Sequence, residues 1–561
     1  VAEVVLKPDE IALNGVHYRI EGPVETELAS VYPEKTVIGD YTLQSRPRVS
    51  VKTWSDWRGG FGLERDRGDA PTNQYWFSQL RTNYHRHLTL PPIDVITSSS
   101  TEAAQPSAMG EFGSVIYVAF GTKMRSYTSA GDTWSALLDT LPGAATSAIT
   151  AVLGGTKYLI FGQAAGFTYT SDGAAYVDVV KNSDFLAVWD DKLWGIDDTG
   201  QLWYASNPTV TPVDDAKVPL GEGSVTSLFV GPDAAGDMIL YAGTTEGLFA
   251  HDFANAKFWQ PIRWPHVPNS GKGCFWNGSI YVGYGALGVF RYMPSTGDVV
   301  AMGPDQGDGP LGSVTDFSGS IGALLPGFRE LYLLFASEMG VLPLSWDGVG
   351  WRYVMNLAYC RSPGLVSNAY SAYRLWGTRG GEVDKIFYVP IVADRSDNPV
   401  QNTSVTYDAV GGELQTAWFS PGEPDETTVA VDGTAITAGV GSTTPTAAET
   451  VTIGYRLNYS TGSFTTLGSA ITCEALKTTA VSFPDNTTPT GTEFKAIQFQ
   501  FILARGTTGS NPEKKSPDLI SFTLASRKKL AEKWRFGVTI NGFEPISANT
   551  PETVMAAVRA A

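Results

Sequence analysis

The sequence predicts an all-β protein built around a central β-propeller, and three observations predict it. A hairpin pattern recurs through the middle of the chain: an apolar strand of about four to six residues, a short polar turn, a glycine, then a second strand. Its turn glycines, Gly166, Gly200, Gly247, Gly288, Gly340 and Gly381, return at about 40–50 residues, the period of a four-stranded blade. The composition, 17% charged and 12% aromatic with 60 Gly, favours strands and turns over helices.

The length, 561 residues, exceeds one core and predicts about three domains at about 150 residues each. Residues 1–95 read as a strand-rich assembly module, with "IALNGVHYRIEG" and "YTLQSRPRVSVKTW" alternating as strands do. The Gly- and charge-rich stretch "SDWRGGFGLERDRGDAPTNQYWFSQL" follows. Its aromatics Trp54, Trp57, Tyr75, Trp76 and Phe77 could anchor a neighbouring subunit, because interface centres favour large aromatics. Filling the module's own core is the competing assignment.

Residues 96–404 carry the propeller. Six hairpins start at Ser114, Thr156, Asp191, Asp237, Gly278 and Arg329, and a looser seventh starts at Tyr373. This predicts seven blades, or six without the last. A single small sheet cannot hide both faces, so each blade must lean on its neighbours. Glycine at each turn supplies the positive φ of a tight hairpin.

Residues 405–545 read as an antiparallel β-sandwich. "VTIGYRLN", "FKAIQFQFILARG", "LISFTLASR" and "WRFGVTING" have period-two patterning between Thr/Gly/Pro-rich loops. Residues 546–561 predict a short terminal helix, with Thr550 as cap, Pro551 in its first turn and Glu552 at its positive end.

Three related corners interrupt the propeller region: "YTSAGDTWSAL", "YTSDGAAYVDV" and "LSWDGVGWRYV". They place Asp132 and Trp134, Asp172 and Tyr176, and Ser345, Asp347 and Trp351 around tight turns. The pattern resembles the Asp-box of sialidase-like propellers, S-x-D-x-G-x-x-W, although Gly348 falls one position early and Gly131 precedes Asp132. That resemblance implies blade-corner folding elements rather than catalytic residues.

The search for chemistry returns little. The formal charge of −17 argues against nucleic acid as a partner. The start of the chain lacks a signal-peptide pattern, and no apolar run reaches the length of a membrane span. Cys274, Cys360 and Cys473 are widely spaced and read as unpaired core residues. "GYGALG" at Gly283–Gly288 sits in a hairpin with no helix after it, which excludes a dinucleotide site. His85 and His87 share a strand face but lack a third ligand, and Asp190, Asp191, Asp197 and Asp198 read as turn caps. A sialidase mechanism needs three converging arginines. Arg125, Arg263, Arg291, Arg329, Arg352, Arg361, Arg374 and Arg379 share no recurring inner-strand position, and Glu246, Glu330 and Glu338 are the scarce glutamates there. No catalytic residue, metal or cofactor is expected.

The order of parts, from "LNGVHYRIEGPVETELASVYPEKTVIGDYT" and "SDWRGGFGLERDRG…YWFSQL" to "AWFSPGEPDE" and "LISFTLASRKKLAEKWRFGVTING", resembles tail and tail-tip structural proteins of tailed bacteriophages. The resemblance implies a virion location, many copies, and contacts with identical subunits and neighbouring virion proteins. It extends to a host-surface glycan or protein. The alternative is an extracellular glycan-binding or sialidase-like propeller.

Overall fold

The computed structural model describes residues 10–13, 16–19, 50–60, 75–83, 85–285, 288–303, 321–335, 343–355, 360–367, 373–379, 382–391, 404–408, 412–421, 427–440, 448–484 and 491–528. Among them the chain is nearly all β, with no α-helix and many small antiparallel sheets. The terminal helix expected over 546–561 lies outside the described residues, as do Glu338, Gly340 and Gly381.

Seven sheets follow one another from residue 106 to 390. Their first strands are Pro106–Phe112, Ala145–Leu153, Phe185–Trp189, Val225–Pro232, Gly273–Trp276, Ile321–Pro326 and Cys360–Ser367. We number the sheets one to seven in this order. In sheets two to six the strands pair in simple sequence, each with the next. The first strand of every sheet lies against the first strands of its two neighbours, and that of sheet seven returns to that of sheet one.

Packing follows from the second strands. "VIYVAF", "YLIF", "ILYA", "IYV" and "LYLLF" are continuous apolar runs, not alternating ones, because both faces are covered. In sheet two, Leu159 and Phe161 face a core shared with sheet one, and Tyr158 and Ile160 face a core shared with sheet three. In sheet six, Leu331, Leu333 and Phe335 face sheet five, and Tyr332 and Leu334 face sheet seven. A separate core fills each gap between successive sheets, and Met109, Ile116, Val118, Phe120, Trp376 and Ile386 fill the one between sheets seven and one.

Sheet seven takes its fourth strand from earlier in the chain. Val95–Ile96 pairs with Tyr388 and Phe387, and the Thr97 N–H donates to Ile386 O at 3.0 Å. The division expected at residue 95 therefore runs through a strand of sheet seven.

Two further sheets share one apolar core. One combines Thr428–Ala438, Asp518–Lys528, Lys477–Ser482 and Thr492–Phe494 with Ser50–Trp54, Leu88–Thr89 and Arg81–Thr82. The other combines Glu449–Leu457, Ile497–Ala504, Glu413–Thr416, Thr465–Thr466 and Ile471–Cys473 with Tyr75–Ser78. The strands at 50–54, 75–78, 81–82 and 88–89, expected in an N-terminal module of their own, are thus built into the C-terminal sheets. The reason is pairing: the eleven-residue strand Asp518–Lys528 offers an edge that Ser50–Trp54 fills in register.

Candidate functional site

The aromatics expected at an interface divide. Trp54 is 5% and Trp57 1% exposed, so the expectation that these two anchor a neighbouring subunit is corrected. Trp54 stacks on Phe522 and meets Phe499 and Phe419 edge-on, and Trp57 meets Phe501 edge-on inside the shared core. Its indole N–H donates to Ile520 O at 3.1 Å, which satisfies its one polar group. Tyr75, Trp76 and Phe77 lie in the strand Tyr75–Ser78 beside Glu413–Thr416, and their side chains lie outside the described residues.

The three corners perform three structural tasks. In the first, Asp132 (φ 47°) accepts the N–H of Ser98 and the hydroxyl of Tyr127, each at 2.9 Å. Trp134 donates its indole N–H to Ser98 O at 2.8 Å. Ser98 lies two residues after the strand Val95–Ile96, so this corner fastens the strand that completes sheet seven to sheet one. In the second, Asp172 accepts from the N–H groups of Ala174 and Ala175 at 2.8 and 2.9 Å, and Tyr176 donates to Gly173 O at 2.9 Å. The backbone donors hold the Asp172 carboxyl below its ordinary range.

The third corner makes the junction between the seven successive sheets and the two further sheets. Asp347 accepts from Val349 and Gly350 N–H at 2.9 and 3.1 Å and pairs with the buried Arg352. Trp351 donates to Met302 O of sheet five at 2.7 Å. Ser345 is fully buried, and its hydroxyl has no partner among the described residues. Against this corner lies the turn Trp57–Gly59. A Cβ on Gly350 would stand 2.4 Å from Gly59 O, and one on Gly60 would stand 2.5 Å from Trp351 O. Only bare backbone fits there. Arg81 completes the junction, donating to Val354 O and pairing with Glu330, both at 3.1 Å.

Indole donors also link other neighbours. Trp189 donates to Met238 O at 2.6 Å and Trp276 to Gly327 O at 2.9 Å. Each ends the first strand of its sheet; Gly327 lies in the first turn of the next sheet, and Met238 opens the strand that follows that turn. At the opposite ends of the first strands, Thr146 and Thr226 donate to Asp184 O and Ser270 O, each at 2.6 Å. The signal for these threonines was in the sequence, as "ATSAI" and "VTSLF" repeat at the start of their strands.

Charged groups weighed as catalytic are occupied elsewhere or dispersed. Glu246 accepts the N–H groups of Gly221, Glu222 and Gly223 at 2.9, 2.7 and 2.7 Å, which lowers its carboxyl. Arg125 pairs with Glu102 at 2.6 Å, Arg379 with Glu382 at 3.8 Å, and Arg374 packs over Tyr388 at 4.1 Å. Arg291, Arg329 and Arg352 sit in sheet five, in the first turn of sheet six and in its last strand. Asp197 accepts from Gln201 N–H and Thr199 Oγ1, both at 2.8 Å, as a turn cap does. His87 Nδ1 lies 2.9 Å from Asp518, and among the described residues no group of three or more His, Cys, Asp or Glu is arranged to hold a metal. Cys274 and Cys473 are buried free thiols, pushed up by burial; the side chain of Cys360 lies outside the described residues. No helix among the described residues is long and apolar enough to cross a membrane.

The chain matches no family model and no curated protein. An extracellular domain of a hybrid two-component system from B. thetaiotaomicron is 14% identical, with a TM-score of 0.40 over 59% of this chain and 46% of that one. This chain thus spans just under half that protein's length. Hydrazine synthase of Kuenenia stuttgartiensis is 11% identical with a TM-score of 0.39, over 53% of this chain and 100% of that one. The computationally designed protein Ika8 is 10% identical with a TM-score of 0.37, over 53% and 100%.

Proposed function

We propose that the chain is a non-catalytic structural component of a phage virion, in the tail region, built as a seven-bladed propeller joined to a β-sandwich. Support for the propeller comes from seven successive sheets, seven separate inter-sheet cores and the return of the seventh first strand to the first. The two sheets that share the Trp54–Phe522 core support the sandwich.

One observation carries the non-catalytic reading. The corner aspartates and Glu246 are spent on backbone N–H groups, and the arginines weighed as catalytic whose side chains are described are spread over sheets one, four, five, six and seven. Catalysis needs such groups convergent and aimed at a reacting atom. The virion class rests on the resemblance of the layout to phage tail proteins. In this reading the partners are identical subunits and neighbouring virion proteins.

Imaging of the particle that carries this chain tests the proposal: a fixed number of copies at one tail position is expected, with terminase, portal and tail genes beside its gene. Sugar released from a glycan panel by the purified chain, and lost in Glu246→Gln or Arg291→Ala, would overturn it.

A further inference from the structure

We propose that the inner mouth of the ring, at the end where the first strands begin, is an oxyanion-binding position held by Lys272. The amine comes from sheet five, directly before Gly273. It donates to Thr226 O of sheet four at 2.7 Å and stands 4.8 Å over the ring of Phe185 in sheet three. Sheet four lies between the other two. An amine of sheet five that touches sheet three must cross the inner edge of sheet four, which puts it on the inward side of the ring.

The site is short of negative charge. An ammonium has three donors, and Nζ uses one, on a neutral carbonyl. Asp184, beside Phe185, is committed to the N–H of Asp198 at 3.0 Å. Glu111 lies toward the other end of its inner strand, where it accepts the Ser367 hydroxyl at 2.7 Å. Near the same end of other first strands, Ser147 and Ser227 just past the bulges of sheets two and four, and Ser107 within the bulge of sheet one, are uncharged. The Ser147 hydroxyl is buried and has no partner among the described residues. The side chain is half-buried, and loss of water lowers the amine to about 8. A carboxylate or phosphate oxygen at the two open donors supplies the missing counter-charge. Mouths of closed β structures are places where such ligands settle.

This inference is independent of the virion reading. Its test is competitive acylation of the full chain by trace acetic anhydride between pH 7 and 10, read lysine by lysine by mass spectrometry. Acetate and inorganic phosphate are compared with chloride at equal ionic strength. Bound oxyanion raises the amine's pKa by about one unit, so Lys272 at pH 8 acylates roughly fivefold more slowly, while Lys385, paired with Glu382, is unchanged. A response to acetate alone makes the ligand a carboxylate, and a response to phosphate alone a phosphate. Equal Lys272 rates in all three solutions overturn the proposal. In Lys272→Met the oxyanion-dependent rise in Tm should vanish. If that variant fails to fold, the wild-type labelling decides.

Discussion

At the residue scale the chain's aromatic and acidic side chains act as fasteners. Trp351 is 4% exposed and has one polar atom, which reaches Met302 O across the gap between sheets six and five. Trp351→Phe removes that donor, strands a carbonyl and leaves a void. A loss of about 1–3 kcal/mol is expected in urea unfolding. Glu102 shows the electrostatic counterpart. Burial alone would raise its carboxyl, but Arg125 and Lys123 outweigh that and hold it below the ordinary value of 4.5. A carboxylate lowered in the folded state contributes stability that is complete above the unfolded value. That contribution fades as pH falls through the lower, folded value. The destabilisation of Glu102→Gln relative to wild type should therefore be present at pH 7, at about 1–3 kcal/mol, and shrink toward pH 3 in parallel urea titrations.

At the element scale the sheets depend on backbone positions that tolerate no side chain. Gly247 opens the third strand of sheet four at φ +148°, and a Cβ there would stand 2.1 Å from Ile262 O. Gly278, at φ +79° in a hairpin turn of sheet five, has nothing within 4 Å of such a Cβ. Gly278→Ala should cost about 1 kcal/mol from conformation alone, and Gly247→Ala distinctly more, about 2–4 kcal/mol, because strand pairing must also shift. Thermal unfolding of the two variants side by side checks the ranking. The bulges that open the first strands of sheets one, two, four, six and seven belong to the same scale. In sheets two and four the bulge places a threonine hydroxyl within reach of the next sheet's first strand.

At the scale of the whole molecule, closure depends on a segment remote in sequence. Thr97 both donates to and accepts from Ile386, beside the strand Val95–Ile96. Thr97→Pro removes the donor and disturbs the pairing. Hydrogen exchange should then quicken at Ile386–Pro390 and in the first strands of sheets seven and one, while sheets three and four keep their protection. Uniform loss of protection across all seven sheets would show instead that the seven sheets open as one cooperative unit.

The sequence by itself determined the local structure. Period-two and continuous apolar runs, turn glycines and Asp/Ser/Gly corners marked the hairpins of the ring and the long C-terminal strands, because neighbours along the chain decide those features. Which strand completes sheet seven, which edge takes up Ser50–Trp54, and whether Trp57 faces a core or a partner depended on contacts hundreds of residues apart. No local pattern encodes those pairings. Only the assembled sheets reveal which edges stay open and which faces need cover, and Val95–Ile96, Gly59–Gly60 and Arg81 answer to that tertiary demand.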